Sequence, residues 1–376
     1  MLIELIIAVV GFTVVAHFGG ILLLLARARH VTCAAGERPP VTILRPCCGI
    51  ENGIEETLGS TFALGYPAYE IVFCVAEERD PVVPLIRRLI SEHPQVPARL
   101  LFGNDRISIN PKLNNLVKGW HAARHDWLVM TDSNVLMPPD YLDQLLERWR
   151  PDSGLVSSPP AAIRPQGVGA DLECAFLNTY QARWQLIADA LGTAYGQGKT
   201  IMWRRKQLER AGGIAALAAE PAEDAAFTKL VRAAGKKARL VIRPFPQPLG
   251  VRAPGDVWRR QLRWARLRRS SFPLVYALEF LGGGLLPLGG AAVLMGMGIL
   301  PVVWFSGLLV AWYGSELLLA RWYGWPASPR IAMLMVVRDL MLWPLWVLGW
   351  MGNKFVWRGS AMDVKAADAA PLRRSE

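Results

Sequence analysis

The sequence predicts an α/β domain with a Rossmann-like, mostly parallel sheet, carried by one amino-terminal and about three carboxy-terminal membrane helices. Three observations predict it. Charged residues make up only 19% of the 376 positions and apolar residues 52%, where soluble domains carry about 25% charge. Long apolar runs stand near both ends of the chain. Between them, over residues 39–270, short β-branched runs alternate with helical stretches. That alternation is the pattern of parallel strands joined by crossover helices.

Residues 5–26 are almost unbroken apolar sequence, long enough to cross a bilayer at about 20 residues per span. No positive residue precedes the run, and it is too long for the apolar core of a signal peptide. Glu4 lies before it and Arg27, Arg29 and His30 follow. The positive-inside rule then places the amino terminus outside and residue 30 onward in the cytoplasm, with a bacterial inner membrane as the expected location. A single histidine within the span, His17, is expected to face another helix.

The soluble part reads as strands over 41–45, 69–75, 98–102, 127–130, 155–157 and 239–242. Helices are expected at 54–62, 81–90, 112–124, 171–191, 204–211 and 221–234. Gly212-Gly213 suits a helix C-terminus, and Pro138-Pro139 suits a helix start. Cys33, Cys47, Cys48, Cys74 and Cys174 show no metal-ligand spacing and read as a reduced, cytoplasmic set.

Residues 256–269 are a separate feature. Six arginines (259, 260, 263, 266, 268, 269) crowd among Val257, Trp258, Leu262, Trp264 and Leu267. This is a basic amphipathic helix suited to an anionic membrane surface. A solvated helix beside a membrane span explains the charge but not the two tryptophans. Apolar segments follow at 275–297, 302–320 and 331–351, with Trp and Tyr near their ends. Glu279, Glu316 and the Arg338-Asp339 pair lie within them, functional candidates by default at membrane depth; the pair could equally sit at the interface. Three crossings put the tail outside, yet Lys354, Arg358, Lys365, Arg373 and Arg374 favour the inside. One segment is therefore expected to be re-entrant or to lie in the membrane plane. The chain divides as anchor 1–30, catalytic-type domain 31–254, interfacial helix 255–271, membrane segments 272–352 and basic tail 353–376.

A net charge of +11 points to anionic partners: phospholipid headgroups, a nucleoside diphosphate or nucleic acid. Nucleic acid is the weakest of these, because no binding motif accompanies the charge.

Five stretches carry chemistry. Asp132-Ser133-Asn134 follows the apolar strand 127–130. A carboxylate at the carboxyl end of a buried strand sits where open α/β sheets bind ligands; read alone, it is also an ordinary Asp/Ser/Asn turn. Asn110-Pro111-Lys112 places a lysine at a helix start, where amides and ammonium suit phosphate or sugar hydroxyls, or where Asn-Pro is simply a cap. Glu223-Asp224 opens a helix, where the dipole favours acids and where Asp224 could be a general base. Glu77-Glu78-Arg79-Asp80 follows the second strand; its acids suit a uridine or ribose, or Asp80 caps the next helix. Arg260-Gln261-Leu262-Arg263-Trp264 puts two arginines on one helix face, a spacing that suits a diphosphate.

In this order, and ahead of membrane spans, these stretches resemble the ceramide glucosyltransferase family (glycosyltransferase family 21), inverting enzymes with a GT-A fold. The likeness covers about residues 41–270 and is closest at 109–116 (Ile-Asn-Pro-Lys-Leu-Asn-Asn-Leu) and at Arg260-X-X-Arg263-Trp264. It implies a UDP-sugar donor, a ceramide or similar lipid acceptor and a divalent cation, Mg²⁺ or Mn²⁺. Asp132 is then the metal and diphosphate residue, with Ser133 and Lys112 beside the nucleotide-sugar. Asp224 is the base, and Arg260, Arg263 and Trp264 close the acceptor and leaving-group side. Glu77 stands where the family usually has an Asp for the nucleotide, with Asp80 as a rival. Asn134 replaces the last Asp of Asp-X-Asp, and Gln181, ahead of Arg183, replaces a family histidine. Other readings stay open: a transferase acting on a hopanoid or another membrane lipid, and a non-catalytic membrane scaffold, which Glu77 and Asn134 keep alive. A processive polysaccharide synthase is disfavoured by the short membrane part.

Overall fold

The computed structural model describes residues 1–27, 37–357 and 360–363. Arg29, His30 and Cys33, and the tail charges Arg358, Lys365, Arg373 and Arg374, lie outside the described residues. The chain divides into two units. One comprises Met1–Val31, Ala161–Leu191 and Leu249–Met351; the other comprises Thr32–Pro160, Gly192–Pro248 and Gly352–Glu376. The helical unit thus takes in Ala161–Leu191 as well as the two apolar ends.

The second unit is built on a seven-stranded sheet. Its strands are β1 (Val41–Cys47), β2 (Tyr69–Val75), β3 (Ala98–Phe102), β4 (Trp127–Thr131), β5 (Ser153–Ser157), β6 (Thr200–Arg204) and β7 (Lys237–Leu240). Their order across the sheet is β3-β2-β1-β4-β6-β5-β7. β1 pairs in parallel with β2 and β4, and β2 with β3. β6 runs antiparallel to both β4 and β5, and β5 is parallel to β7. β1 is buried at every position, as expected of a central strand covered on both faces. One face packs Val41, Ile43 and Val129 against Tyr141, Leu142 and Phe245. Further along the same face, Ile71, Phe73 and Val75 pack against Leu58, Phe62, Val83 and Ile86, while the opposite face turns Leu44, Val72 and Cys74 towards Gly119 of helix Pro111–Ala122.

The chain steps from β1 outward to β2 and β3, then returns to β4 on the other side of β1. The order therefore reverses between β1 and β4, and ligands bind such sheets at the carboxyl ends flanking the reversal. Cys47, Val75 and Thr131 end β1, β2 and β4 there.

Sequence patterning locates these strands to within a few residues, except β6. Residues 204–211 are expected to be helical, and the helix does run Arg205–Arg210. The preceding Thr200–Arg204 is a strand that the sequence reading does not include, although Thr, Ile, Met and Trp suit one. Helix Pro111–Ala122 has Asn110 as its cap: Oδ1 accepts from the amides of Lys112 (2.9 Å) and Leu113 (3.3 Å), and Pro111 sits where its missing N–H costs nothing. Gly119 in this helix lets it lie directly on the sheet, since a Cβ there would stand 2.5 Å from Cys74 Sγ.

The helical unit holds three helices long and apolar enough to cross a membrane: Leu2–Arg27, Val302–Trp322 and Pro329–Trp350. They make the chain membrane-associated. The apolar run expected at 275–297 is not one helix. Pro273–Gly282 and Leu285–Gly296 are bent by 46° at their break. The N–H of Gly284, at the break, donates to Asp339 Oδ2 at 2.8 Å, which satisfies a backbone group that the broken helix leaves open. Residues 171–191, expected as one helix, are Val168–Cys174, a π-helical stretch Ala175–Ala182 and Arg183–Ala190.

Glu279 pairs with Arg268 at 2.6 Å; the other ionisable residues noted in these segments form one buried network. Arg338 Nη1 donates to Glu316 Oε2 at 2.9 Å and to Thr179 Oγ1 at 2.6 Å, and its Nε donates to Asp339 Oδ1 at 2.8 Å. Arg183 lies 3.4 Å from Glu316 and 2.7 Å from His17 Nδ1. His17 stacks on Trp312 at 3.6 Å, so it does face other helices. Arg338 and Asp339 are buried inside the unit, midway along Pro329–Trp350.

Candidate active site

The switch-point edge of the sheet gathers three carboxylates, Asp132, Glu223 and Asp224, and two lysines. Asp132 directly follows β4. Its N–H donates to the carbonyl of Lys199 at 3.0 Å, extending the β4–β6 ladder by one residue beyond Thr131 and Thr200. That register fixes Lys199 opposite Asp132. The Lys199 ammonium lies 3.0 Å from Asp132 Oδ2, and the Lys112 ammonium lies 2.7 Å from Oδ1. Each lysine thus holds one oxygen of a single carboxylate.

Lys112 also reaches Glu223 Oε1 at 2.7 Å and donates to the Gly198 carbonyl at 2.5 Å. An ammonium has three donors, and these contacts use all of them. Lys112 therefore ties the β4 end, the Gly198 turn and the start of helix Glu223–Ala233 together. Asn110 completes the tie, because its Nδ2 donates to Glu223 Oε2 at 2.6 Å. Gly198 has no room for a side chain: a Cβ would stand 3.0 Å from Glu223 Oε1 and 3.3 Å from both Asp224 Oδ2 and Lys112 Nζ. Its N–H donates to Asp224 Oδ2 at 2.7 Å.

The charges respond to this arrangement. Burial raises the Asp132 carboxyl, but Lys112 and Lys199 outweigh it and hold it well below the usual carboxylate range. Burial lowers the Lys112 ammonium, and Asp132 and Glu223 more than reverse that. Asp224 differs: burial and then the Glu223 charge push it up to about 6, against the Gly198 N–H and Lys112. Two neighbouring carboxylates in one site thus have opposite shifts, the pattern by which one acid stays a charge and the other becomes a proton acceptor near neutrality.

Other residues picked out in the sequence are placed as follows. Ser133 is buried, and its carbonyl accepts from Thr57 Oγ1 at 2.6 Å and from Arg45 Nη2 at 3.1 Å. Asn134 donates to Glu51 Oε2 at 2.9 Å and accepts from Lys199 at 3.0 Å. Asp80, beyond β2, accepts from the Gly49 N–H at 2.9 Å and the Val82 N–H at 2.9 Å, so it ties the β1 loop to the next helix. Glu77 is exposed. Arg260, Arg263 and Trp264 belong to the helical unit, on helix Pro254–Ser271. Arg260 is ion-paired with the buried Glu173, and Trp264 packs against the cluster containing Ala162, Leu177 and Trp312.

Lys199 and Gly198 are site residues that sequence reasoning does not single out, while Asn110 and Glu223 lie in stretches it marks without giving either a role of its own. Recognising β6 as a strand beside β4 is the signal that finds Lys199 and Gly198. No group of three or more His, Cys, Asp or Glu is placed to hold a metal among the described residues. Asp132 offers a single carboxylate with an ammonium on each oxygen, whereas Mg²⁺ is commonly bound by one or two carboxylates with substrate phosphates and water completing its shell.

A sheet reversing at β1/β4, with an aspartate at that edge and an antiparallel return beside β4, defines the GT-A class of nucleotide-sugar transferase folds. A mannosyltransferase from Pyrobaculum calidifontis, solved in complex with GDP-Man and Mn²⁺, shares it with a TM-score of 0.53 at 20% identity, over 89% of this chain and 99% of that one. The profile of glycosyl transferase family 21 matches residues 3–370, and the chain belongs to that family. Ceramide glucosyltransferase 1 of Caenorhabditis elegans is 28% identical over 64% of this chain and 52% of its own length. Ceramide glucosyltransferase 3 of the same organism is 26% identical over 80% and 69%. The ceramide glucosyltransferase of Komagataella phaffii is 34% identical over 49% and 41%. This chain thus spans between about two fifths and two thirds of the length of these relatives.

Proposed function

We propose that this protein transfers a sugar, glucose in the simplest case, from a UDP-sugar to the primary hydroxyl of ceramide, with inversion, at the cytoplasmic face of the membrane. One observation carries the reading. Asp224, with its carboxyl pushed up to about 6, stands at the same sheet edge as the lysine-clamped Asp132, in a chain whose family relatives are ceramide glucosyltransferases.

Asp224 takes the proton of the acceptor hydroxyl as that oxygen attacks the anomeric carbon from the face opposite UDP. The C–O bond to UDP breaks, and both bonding electrons leave on the diphosphate. Lys112 fixes Asp132 and Glu223 in their positions, so the edge is preorganised before the donor arrives. Asp132 would hold the divalent cation, which would offset charge on the diphosphate when bound. Ser133, gripped through its carbonyl, sets the path of the Asp132 loop. Glu77 meets the uridine or ribose, and Asp80 shapes the loop beside it. Arg260, Arg263 and Trp264 serve the acceptor and leaving-group side, and the basic face of their helix rests on anionic headgroups.

Membranes containing the protein, incubated with labelled UDP-glucose and ceramide, test this by mass spectrometry of the lipids. Glucosylceramide is expected, with turnover lost in EDTA. Asp224→Asn is expected to abolish turnover and keep UDP binding. Product on a hopanoid or another lipid in place of ceramide moves the acceptor. No product from any UDP-sugar leaves the scaffold reading.

A further inference from the structure

Where Asp-X-Asp would supply a second carboxylate, this chain has Asn134, and the geometry around Asn134 is organised for a cation. Its amide spans from Glu51 Oε2 (2.9 Å) to the Lys199 ammonium (3.0 Å), so Glu51 fixes which way the amide turns and its oxygen faces Lys199. The Lys199 side chain is 14% exposed. It is held by a strand register, by Asp132 and by this oriented amide, so it is not a solvated surface lysine. The two lysines differ in setting. Lys112 lies between two carboxylates and a carbonyl. Lys199 lies against the other oxygen of Asp132 and against a neutral amide. An acid at 134 would add a negative charge to this edge; asparagine keeps the hydrogen bond and leaves the charge out.

We propose that Lys199 binds the diphosphate of the nucleotide-sugar, as a built-in monocation that takes over part of the neutralisation a second acid and its metal would provide. The inference rests on the donor reading above and adds a residue to it. A charge-assisted N–H···O contact to a phosphate oxygen is among the stronger hydrogen bonds available to a protein. Donor affinity should therefore survive removal of divalent cations even though turnover does not.

Calorimetry of UDP binding to the purified full chain, in EDTA and in Mg²⁺, tests this. Wild type is expected to bind UDP in EDTA within roughly tenfold of its Mg²⁺ affinity. Lys199→Met should lose at least about tenfold in EDTA, and Lys199→Arg, which keeps the charge, should retain most of the affinity. The converse change, Asn134→Asp, should weaken UDP binding in EDTA and restore it with Mg²⁺, since it returns the missing charge without removing Lys199. Thermal unfolding of each variant separates lost binding from lost fold, and Asn134→Asp carries the test if Lys199→Met does not fold. If wild type binds UDP and a folded Lys199→Met binds it equally well in EDTA, this proposal fails alone. If Asn134→Asp binds UDP in EDTA as wild type does, the charge argument fails with it. Wild type that binds no UDP in either buffer overturns the donor reading as well.

Discussion

At the scale of single residues, Asp224 makes the sharpest prediction. Its carboxyl is raised to about 6 by burial and by the neighbouring Glu223. A base must be deprotonated to act, so kcat/KM should fall as pH drops through about 6, tenfold per unit on the acid limb. Glu223→Gln removes the second cause of the rise and leaves burial in place. The limb should then move to lower pH while persisting, which a pH–rate profile of both proteins reads directly; an unmoved limb would show that Glu223 does not set it. Asp224 and Asp132 were legible in the sequence because each follows a recognisable element boundary. Lys199 and Gly198 were not, since their roles arise only from pairing with β4, a partner 69 residues away from Thr200 at Thr131. Periodicity reports which face a residue takes within its own element. It carries no information about which strand lies alongside.

At the scale of elements, the network of Arg183, Glu316, Arg338 and Asp339 decides how the helical unit holds together. Two guanidinium groups and two carboxylates share it, each at most 2% exposed. Pairing of this kind is neutral as a whole, but removing one member leaves an uncompensated buried charge at a cost of about 3–5 kcal/mol. Arg338→Leu removes the guanidinium paired with Asp339 and leaves Glu316 with Arg183 alone, and Asp339 in turn holds the N–H of Gly284 at the helix break. The variant should lose thermal stability in detergent by several degrees or fail to accumulate. Arg338→Lys, which keeps the charge but not the forked donors, should lie between. A thermal midpoint for Arg338→Leu equal to wild type would contradict this. The sequence marked the ionisable residues at membrane depth but could not pair them, because they come from separate segments. It also read 275–297 as a continuous span. The break at Gly283-Gly284 is stabilised by the distant Asp339, and hydropathy averages over it.

At the scale of the whole molecule, the same break bears on how the chain threads the membrane. By length and composition Leu2–Arg27 can cross once, and Val302–Trp322 with Pro329–Trp350 twice. If the bent pair Pro273–Gly282 and Leu285–Gly296 also crossed fully, four crossings in all would place the tail on the side of the amino terminus. If the bent pair enters and leaves on one face, three crossings place the tail with the sheet unit. The charges favour the second arrangement: Arg358, Lys365, Arg373 and Arg374 follow the last span, and basic residues close to span ends stay on the cytoplasmic side. Intact cells treated with a membrane-impermeant maleimide distinguish the two. A cysteine placed at Leu2 should be labelled, and one placed at Ser375 should be protected until the membrane is permeabilised. Cys48, exposed on the sheet unit, reports in the same experiment which side that unit occupies and should be protected as well. Labelling of Ser375→Cys in intact cells, with Cys48 still protected, would mean that the bent pair spans the bilayer and that tail charge does not set the topology.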